Sequence, residues 1–249
     1  MARDEALLRA SDRGLTPPTL RLYEWDEPTL SIGRLQSADP FKVAGVPVVR
    51  RITGGRAVLH HMELTYSVVC GRTHPLFSAG IHGAYRALSS CILKALEEIG
   101  VPAVFSVPVD AGRSRHNPSC FHLPARHEIL AGGRKLVGSS QRRFRGAFLQ
   151  HGSILFGIDR DLVGCIFGDD AAERMACVGE FSEAGTSRLR AAIARRMEEA
   201  LGADFKEEGL TDAERYLEEA IAEKRYASAA WNMDGECGRI EDELRLTCT

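Results

Sequence analysis

The 249-residue chain is 44% hydrophobic and 27% charged, the balance of an ordinary globular protein able to bury a full core. A formal charge of -2 and a pI of about 6.5 exclude a global basic surface for nucleic acid, so electrostatic recognition must be local. No basic segment leading into an apolar run opens the chain, and no apolar stretch nears the ~18–20 residues a bilayer requires, so a cytoplasmic protein without a membrane partner is expected.

In chain order, Ala6, Leu7 and Ala10 recur at helical spacing among charges, which places an amphipathic helix at the start. Short apolar or alternating runs at 19–25, 29–33, 46–52 and 64–70, punctuated by Pro, Gly and Asp, read as strands. Ile81, Ala84, Tyr85, Leu88, Ile92, Ala95, Leu96 and Ile99 then step by three and four along one helix, stopped by Gly100 and Pro102. Strand patterns return between 126 and 158 as three segments with Gly-rich or Arg-rich connections that suit hairpins. Helical patterns close the chain at 187–201 and 212–226, the second opened by Thr211 as N-cap. Consecutive strands with short links predict an α+β protein: a central mixed, mostly antiparallel sheet flanked by helices. A catalytic domain at 1–205 and a helical tail at 206–249 packed on the same domain are expected.

Seven cysteines, at 70, 91, 120, 165, 177, 237 and 248, form no CxxC pair and no zinc spacing, so reduced thiols and no metal are expected. Cys91 falls on the apolar stripe of the long helix and reads as a small buried hydrophobe, and Cys165 and Cys177 as inert. Cys120 stands instead in NPSCFHLP, an irregular stretch where a reactive thiol is more readily placed. Two further segments could carry chemistry. In RRITGGRAVLHHMELTYS (50–67), Gly54 and Gly55 allow close backbone approach, and Arg50, Arg51 and Arg56 bracket that turn with positive charge; a plain sheet turn with solvated arginines fits the same residues. In GRKLVGSSQRRFRGAFLQHGSIL (133–155), Lys135 alternates in phase with Val137, which would turn it inward among apolar neighbours; a strand-end lysine reaching water is the other reading.

Together these segments, with DEALL (4–8), PTLRLYEW and PTLSIGRLQ (18–36), SCF (119–121) and KRYASAAWN (224–232), resemble the biotin/lipoate protein ligase superfamily, and within it the LipM-type octanoyltransferases. The resemblance implies one catalytic domain in which the glycine-arginine loop and the GRKLVGSSQ strand wall an acyl tunnel. It implies Cys120 as acyl-accepting nucleophile and Lys135 as its partner, and substrate contacts from Arg51, Thr53, Gly54, Gly55, Arg56, His60, Gly138, Ser139, Gln150, His151 and Gly152. No cofactor is implied. The donor would be octanoyl acyl carrier protein, and the acceptor a lipoyl-domain protein such as the glycine-cleavage H protein; such acidic partners could be steered by the clustered Arg142, Arg143 and Arg145, and a solvated hairpin fits the same run. Amidotransfer between lipoyl domains and ATP-dependent lipoate ligation are the alternatives. Two departures stand out: His61 follows the loop histidine where the family carries an acidic residue, and the acid-rich tail after Trp231 matches nothing in the family.

Overall fold

The computed structural model describes residues 1–41, 45–106 and 128–235. Its centre is a six-stranded, wholly antiparallel sheet built from Thr19–Tyr23 (β1), Glu63–Gly71 (β5), Ala103–Phe105 (β6), Ile129–Ala131 (β7), Arg134–Arg143 (β8) and Ala147–Leu155 (β9), in the order β1-β5-β9-β8-β7-β6. The strands Thr29–Ile32 (β2), Val48–Arg50 (β3) and Val58–His60 (β4) form a separate small sheet in the order β3-β2-β4, with β2 and β3 parallel. The mixed α+β architecture read from the sequence is therefore present. The two runs at 29–33 and 46–52 join the smaller sheet, together with β4, which the sequence pattern did not reveal.

Alternation along β5 and β9 divides the central sheet into two faces. Leu64, Tyr66, Val68, Phe148 and Ile154 meet the helices Gly80–Glu98 (α3) and Thr186–Leu201 (α5) through Leu88, Ile92, Leu96, Leu189 and Ile193, a single apolar cluster. On the opposite face, Val69, Ala147 and Leu149 pack against Ala6, Leu7 and Leu8 of Ala2–Asp12 (α1), and beyond these against Leu217 and Ile221 of Asp212–Ile221 (α6) and Trp231. Helix α1 thus lies between the sheet and the C-terminal segment, which explains why even its Asp4, Glu5 and Arg9 are buried. Thr211 caps α6 in a reciprocal box with Glu214: Thr211 Oγ1 accepts from the Glu214 amide at 3.3 Å, and the Thr211 amide donates to Glu214 Oε2 at 2.8 Å.

The buried charges of α1 are all partnered. Glu5 accepts from Arg9 Nε (2.7 Å), Arg225 Nη1 (2.5 Å) and the Tyr226 hydroxyl (3.0 Å), and the Arg225 guanidinium lies 4.5 Å from the Trp231 ring centroid. Arg50 performs a similar task from β3, donating to the carbonyls of Gly33, Arg34, Gln36, Trp231 and Met233, while Trp231 Nε1 donates back to the Arg50 carbonyl at 2.8 Å. DEALL, the first arginine of RRITGG and KRYASAAWN thus form one interlocked unit.

Candidate active site

Between the two sheets, at the start of α1, lies a cleft lined by Met1, by Ser31, Val58 and His60 of the small sheet with Arg51 beside it, and by Thr65, Gly138, Ser139, Ser140, His151, Gly152 and Ser153 of the central sheet. The RRITGGRAVLH loop and the GRKLVGSSQ strand, far apart in sequence, face each other across it.

The loop is held by its own arginine. Arg51 is buried and donates to the carbonyls of Ser31 (3.0 Å), Gly54 (3.0 Å) and Arg56 (2.6 Å), so the guanidinium that composition read as local positive charge or a solvated turn is committed to shaping the Gly54–Gly55 turn. Gly55 takes φ +92°, and a Cβ on Gly33 would stand 2.0 Å from the Gly55 carbonyl oxygen. Only glycine at 33 lets the two loops touch.

Two chains of carboxylate, histidine and hydroxyl end at this cleft. In the first, Glu63 Oε1 lies 3.1 Å from His60 Nδ1, His60 Nε2 lies 2.8 Å from Ser31 Oγ, and Arg51 Nη1 donates to the same Ser31 oxygen at 3.1 Å. Thr65 also donates to Glu63 (2.5 Å), accepts from Trp25 Nε1 (3.0 Å), and the Trp25 indole stacks on His60 at 4.3 Å. In the second, Asp4 Oδ2 lies 3.3 Å from His151 Nδ1, His151 Nε2 lies 2.7 Å from Thr53 Oγ1, and Ser140 Oγ donates to Thr53 Oγ1 at 2.9 Å. Asp4 also accepts from Arg21, from the Tyr23 hydroxyl (3.0 Å) and from Ser67 Oγ (2.8 Å). Burial alone would raise the Asp4 pKa, but the His151 hydrogen bond and the Arg21 charge outweigh it and hold the carboxyl below its ordinary range. Burial holds His151 below the ordinary histidine value, against the pull of Asp4.

Lys135 is buried, and its Nζ donates to Glu128 Oε1 at 2.5 Å. The expected phase with Val137 is corrected here. Register slips between β7 and β8 so that Ile129 faces Val137 while Leu130 faces Lys135, leaving Leu136 as the extra residue of a β-bulge. Leu136 and Val137 both join the cluster beneath α3, so Lys135 falls on the other face, that of Gly138 and Ser140, where its backbone bridges Met175 of a different core. Lys135 is nevertheless absent from the cleft's lining residues.

Gln150 lies on the helix side of the sheet, where its Nε2 donates to the Tyr66 hydroxyl at 3.2 Å; that hydroxyl also bonds Ser139 Oγ at 2.8 Å. Gly152 is required by the same contacts, since a Cβ there would lie 2.6 Å from both Ser139 Oγ and Tyr66 Cε1. His61 sits outside the cleft, 3.8 Å from Asp159 Oδ2, and the carboxylate that serves the loop histidine comes from Glu63. Arg143 is occupied by Phe77, whose carbonyl it bonds at 2.5 Å and whose ring centroid its guanidinium approaches to 3.6 Å; Arg145 is exposed. Asp4, Ser31, Glu63, Glu128 and Ser140 also serve this site, and although they stand in DEALL, PTLSIG, ELTYS, HEIL and GSSQ, sequence spacing alone does not mark them as site residues.

Cys120, Cys237 and Cys248 lie outside the described residues. Of the described cysteines, burial pushes the Cys70 thiol up to about 12 and raises Cys91 and Cys177, so none of the three is suited to form a thiolate, while Cys165 lies exposed on Arg160–Phe167 (α4), away from the cleft lining. Ser106 and Glu128, the described residues on either side of 107–127, are joined by the Ser106 amide donating to the Glu128 carbonyl at 2.8 Å. Among the described residues no cluster of His, Cys, Asp or Glu could hold a metal ion, and no helix is long and apolar enough to cross a membrane.

A two-sheet α+β domain with a glycine-arginine loop facing a lysine-bearing strand defines a class, and the chain belongs to it: residues 1–201 match the lipoyl protein ligase A/B catalytic domain family. Within that family the chain is 38% identical over 257 residues to the octanoyltransferase LipM of Kyrpidia tusciae, covering 93% of each chain. Among solved structures it is similar to a lipoate-protein ligase A bound with ATP (TM-score 0.81, 28% identity, 94% and 93% coverage). It is also similar to a chain from a study of a bi-partite lipoate protein ligase and its E2 lipoyl domain from Thermoplasma acidophilum (TM-score 0.76, 25% identity, 95% and 91% coverage).

Proposed function

We propose that this octanoyltransferase of lipoate biosynthesis takes its acyl group from octanoyl acyl carrier protein onto Cys120 and passes it to the acceptor lysine of a lipoyl domain. Octanoyl transfer itself follows from the LipM relatives, which match over nearly the whole chain. In the first half-reaction the Cys120 thiolate attacks the donor carbonyl; a new C–S bond forms and the carrier's thiolate leaves and is protonated. In the second, the lysine amine attacks the enzyme thioester to give an amide. The first step exchanges one thioester for another of similar energy, so the acyl group arrives already activated and no nucleotide is required.

The observation that carries the reading is the buried Lys135, whose Nζ the Glu128 carboxylate holds at 2.5 Å. Lys135 then supplies a fixed cation for the developing thiolate or oxyanion. The unmodified thiol this chemistry needs fits a reducing cytoplasm.

The deciding experiment compares two donors with one lipoyl-domain acceptor. Octanoyl acyl carrier protein without nucleotide is expected to support modification, and free octanoate with ATP and magnesium to be poor. The reverse pattern replaces transfer with ligation, and transfer only from an octanoylated lipoyl domain replaces it with amidotransfer.

A further inference from the structure

The end of the central sheet at the β8–β9 turn carries a charge pattern that the chemistry of transfer does not use. No aspartate or glutamate occurs from Leu64 to Leu96 or from Ile129 to Ile158, although the whole chain has a net charge of -2. Antiparallel pairing brings the basic parts of these two segments together. Gly71 pairs with Ala147, the Arg72 amide donates to the Gly146 carbonyl at 2.7 Å, and Arg143 reaches across to the Phe77 carbonyl just before α3. Ile81, in the first turn of α3, is 54% exposed.

The arginines at this end divide into two groups. Arg142 and Arg143 are half-buried and lean on rings: the Arg142 guanidinium lies 5.7 Å from the Phe144 centroid, and that of Arg143 lies 3.6 Å from the centroid of Phe77. They shape the turn. Arg72, Arg86 and Arg145 are exposed instead, and no carboxylate pairs with any of them among the described residues. Asp12 stands beside the turn, but its Oδ1 accepts from the Gly146 amide at 2.5 Å. The first turn of α3 contains no acidic residue, so the positive end of its dipole adds to the same field. An exposed aliphatic side chain among uncompensated cations is complementary to a protein surface that sets carboxylates around an apolar patch.

We propose that this surface, formed by Arg72, Arg86, Arg145 and Ile81, docks the acidic acyl carrier protein that donates the octanoyl group. The proposal rests on the donor reading above, with the cleft as the acyl site. Three residue steps separate the Ser140–His151 pair in the cleft wall from the Arg143–Phe148 pair at the turn, about 10 Å at ~3.3 Å per residue. A donor that presents its thioester on a pantetheine arm can dock at that distance, whereas a lysine side chain, roughly 6 Å from Cα to Nζ, falls short of it. Charges of this kind act on encounter, so they should govern KM for the carrier and its salt dependence more than kcat.

The test separates docking from chemistry. Wild type is compared with an Arg72→Glu, Arg86→Glu, Arg145→Glu triple variant and its three single variants, and with Arg160→Glu, an exposed position on α4, as control. Binding of apo acyl carrier protein, which lacks the arm, is read by fluorescence anisotropy at low salt. Transfer to a lipoyl domain is followed from octanoyl acyl carrier protein and from octanoyl pantetheine, a thioester without the acidic protein. In the triple variant Kd and KM for the carrier are expected to rise by about 10–10²-fold and to lose most of their salt dependence, while kcat/KM for octanoyl pantetheine stays at the wild-type value. Arg160→Glu should bind the carrier like wild type. An unchanged carrier Kd in the triple variant overturns the proposal, as does an equal loss with octanoyl pantetheine, which marks a structural role. A rise confined to KM for the lipoyl domain gives the surface to the acceptor and overturns it too. Wild-type protein that transfers from neither thioester would instead remove the donor reading, whatever the carrier binds.

Discussion

Replacing Glu5 by glutamine removes a carboxylate shared by two buried arginines. Its carboxylate is fully buried, with Arg9 and Arg225 sharing Oε1 at 2.7 and 2.5 Å and the Tyr226 hydroxyl on Oε2 at 3.0 Å. A carboxamide offers a single acceptor oxygen, so its NH2 group would be pressed against a guanidinium or a hydroxyl that needs an acceptor. Removing one partner of a buried pair costs about 3–5 kcal/mol, because the other charge stays desolvated. For a chain of this size that lowers Tm by about 6–20 °C. Glu218→Gln is the control: it breaks the Arg3–Glu218 pair, whose side chains are 48% and 21% exposed, and should cost less than about 1 kcal/mol. Thermal and urea denaturation followed by circular dichroism measures both. A Glu5→Gln protein within about 1 kcal/mol of wild type would refute the idea that DEALL anchors the C-terminal helices through this carboxylate.

Lys135→Ala should lower transfer by about 10²–10³, and Lys135→Arg should rescue poorly because a planar fork cannot replace a compact ammonium. Since Lys135→Ala takes a cation away from the buried Glu128 carboxylate, the Lys135→Met, Glu128→Gln double variant is needed: it should fold and remain slow, and near-normal turnover in either protein would make the lysine structural. With His151 held below its ordinary value of 6.5, the unfolded chain binds that proton first, so stability should drop as pH falls below about 6.5 and until the folded histidine titrates. Asp4, held below its ordinary 3.8, adds a second loss as pH falls from that value. Urea midpoints from pH 7.5 to 3 trace both, and His151→Gln should flatten the first slope; an unaltered slope would count against the buried neutral ring. Gly33→Ala should force the two loops apart and lower stability, whereas Gly54→Ala, with nothing within 4 Å of its Cβ, should fold as stably as wild type; equal denaturation midpoints for all three proteins would contradict the Gly33–Gly55 contact.

Much of the fold was legible because its signals are local. The stepping of Ile81 to Ile99, the Thr211 cap and the alternation within 147–155 each carry their instruction within a few residues. Strands β4 and β6, three residues each, are too short to display a period. The β-bulge at Leu136 reverses the face of Lys135, and alternation counted straight through it gives the wrong side. The site was half legible for a related reason. Glycines and basic residues announce a loop, but whether Arg50 and Arg51 face solvent or carbonyls depends on Gly33, Arg34 and Trp231, which sequence spacing does not bring near. Asp4 and Glu63 became visible as histidine partners only once the strands were paired.

The central claim is that Cys120 carries the acyl group, and intact-mass measurement tests it directly. Purified protein incubated with octanoyl acyl carrier protein alone should gain one octanoyl mass that neutral hydroxylamine removes, as it removes thioesters and leaves amides. Cys120→Ala should neither gain that mass nor modify a lipoyl domain, while alanine at Cys70, Cys91, Cys165, Cys177, Cys237 or Cys248 should leave the adduct in place. Wild-type transfer by the Cys120→Ala protein would contradict the account and reopen direct transfer and adenylate chemistry.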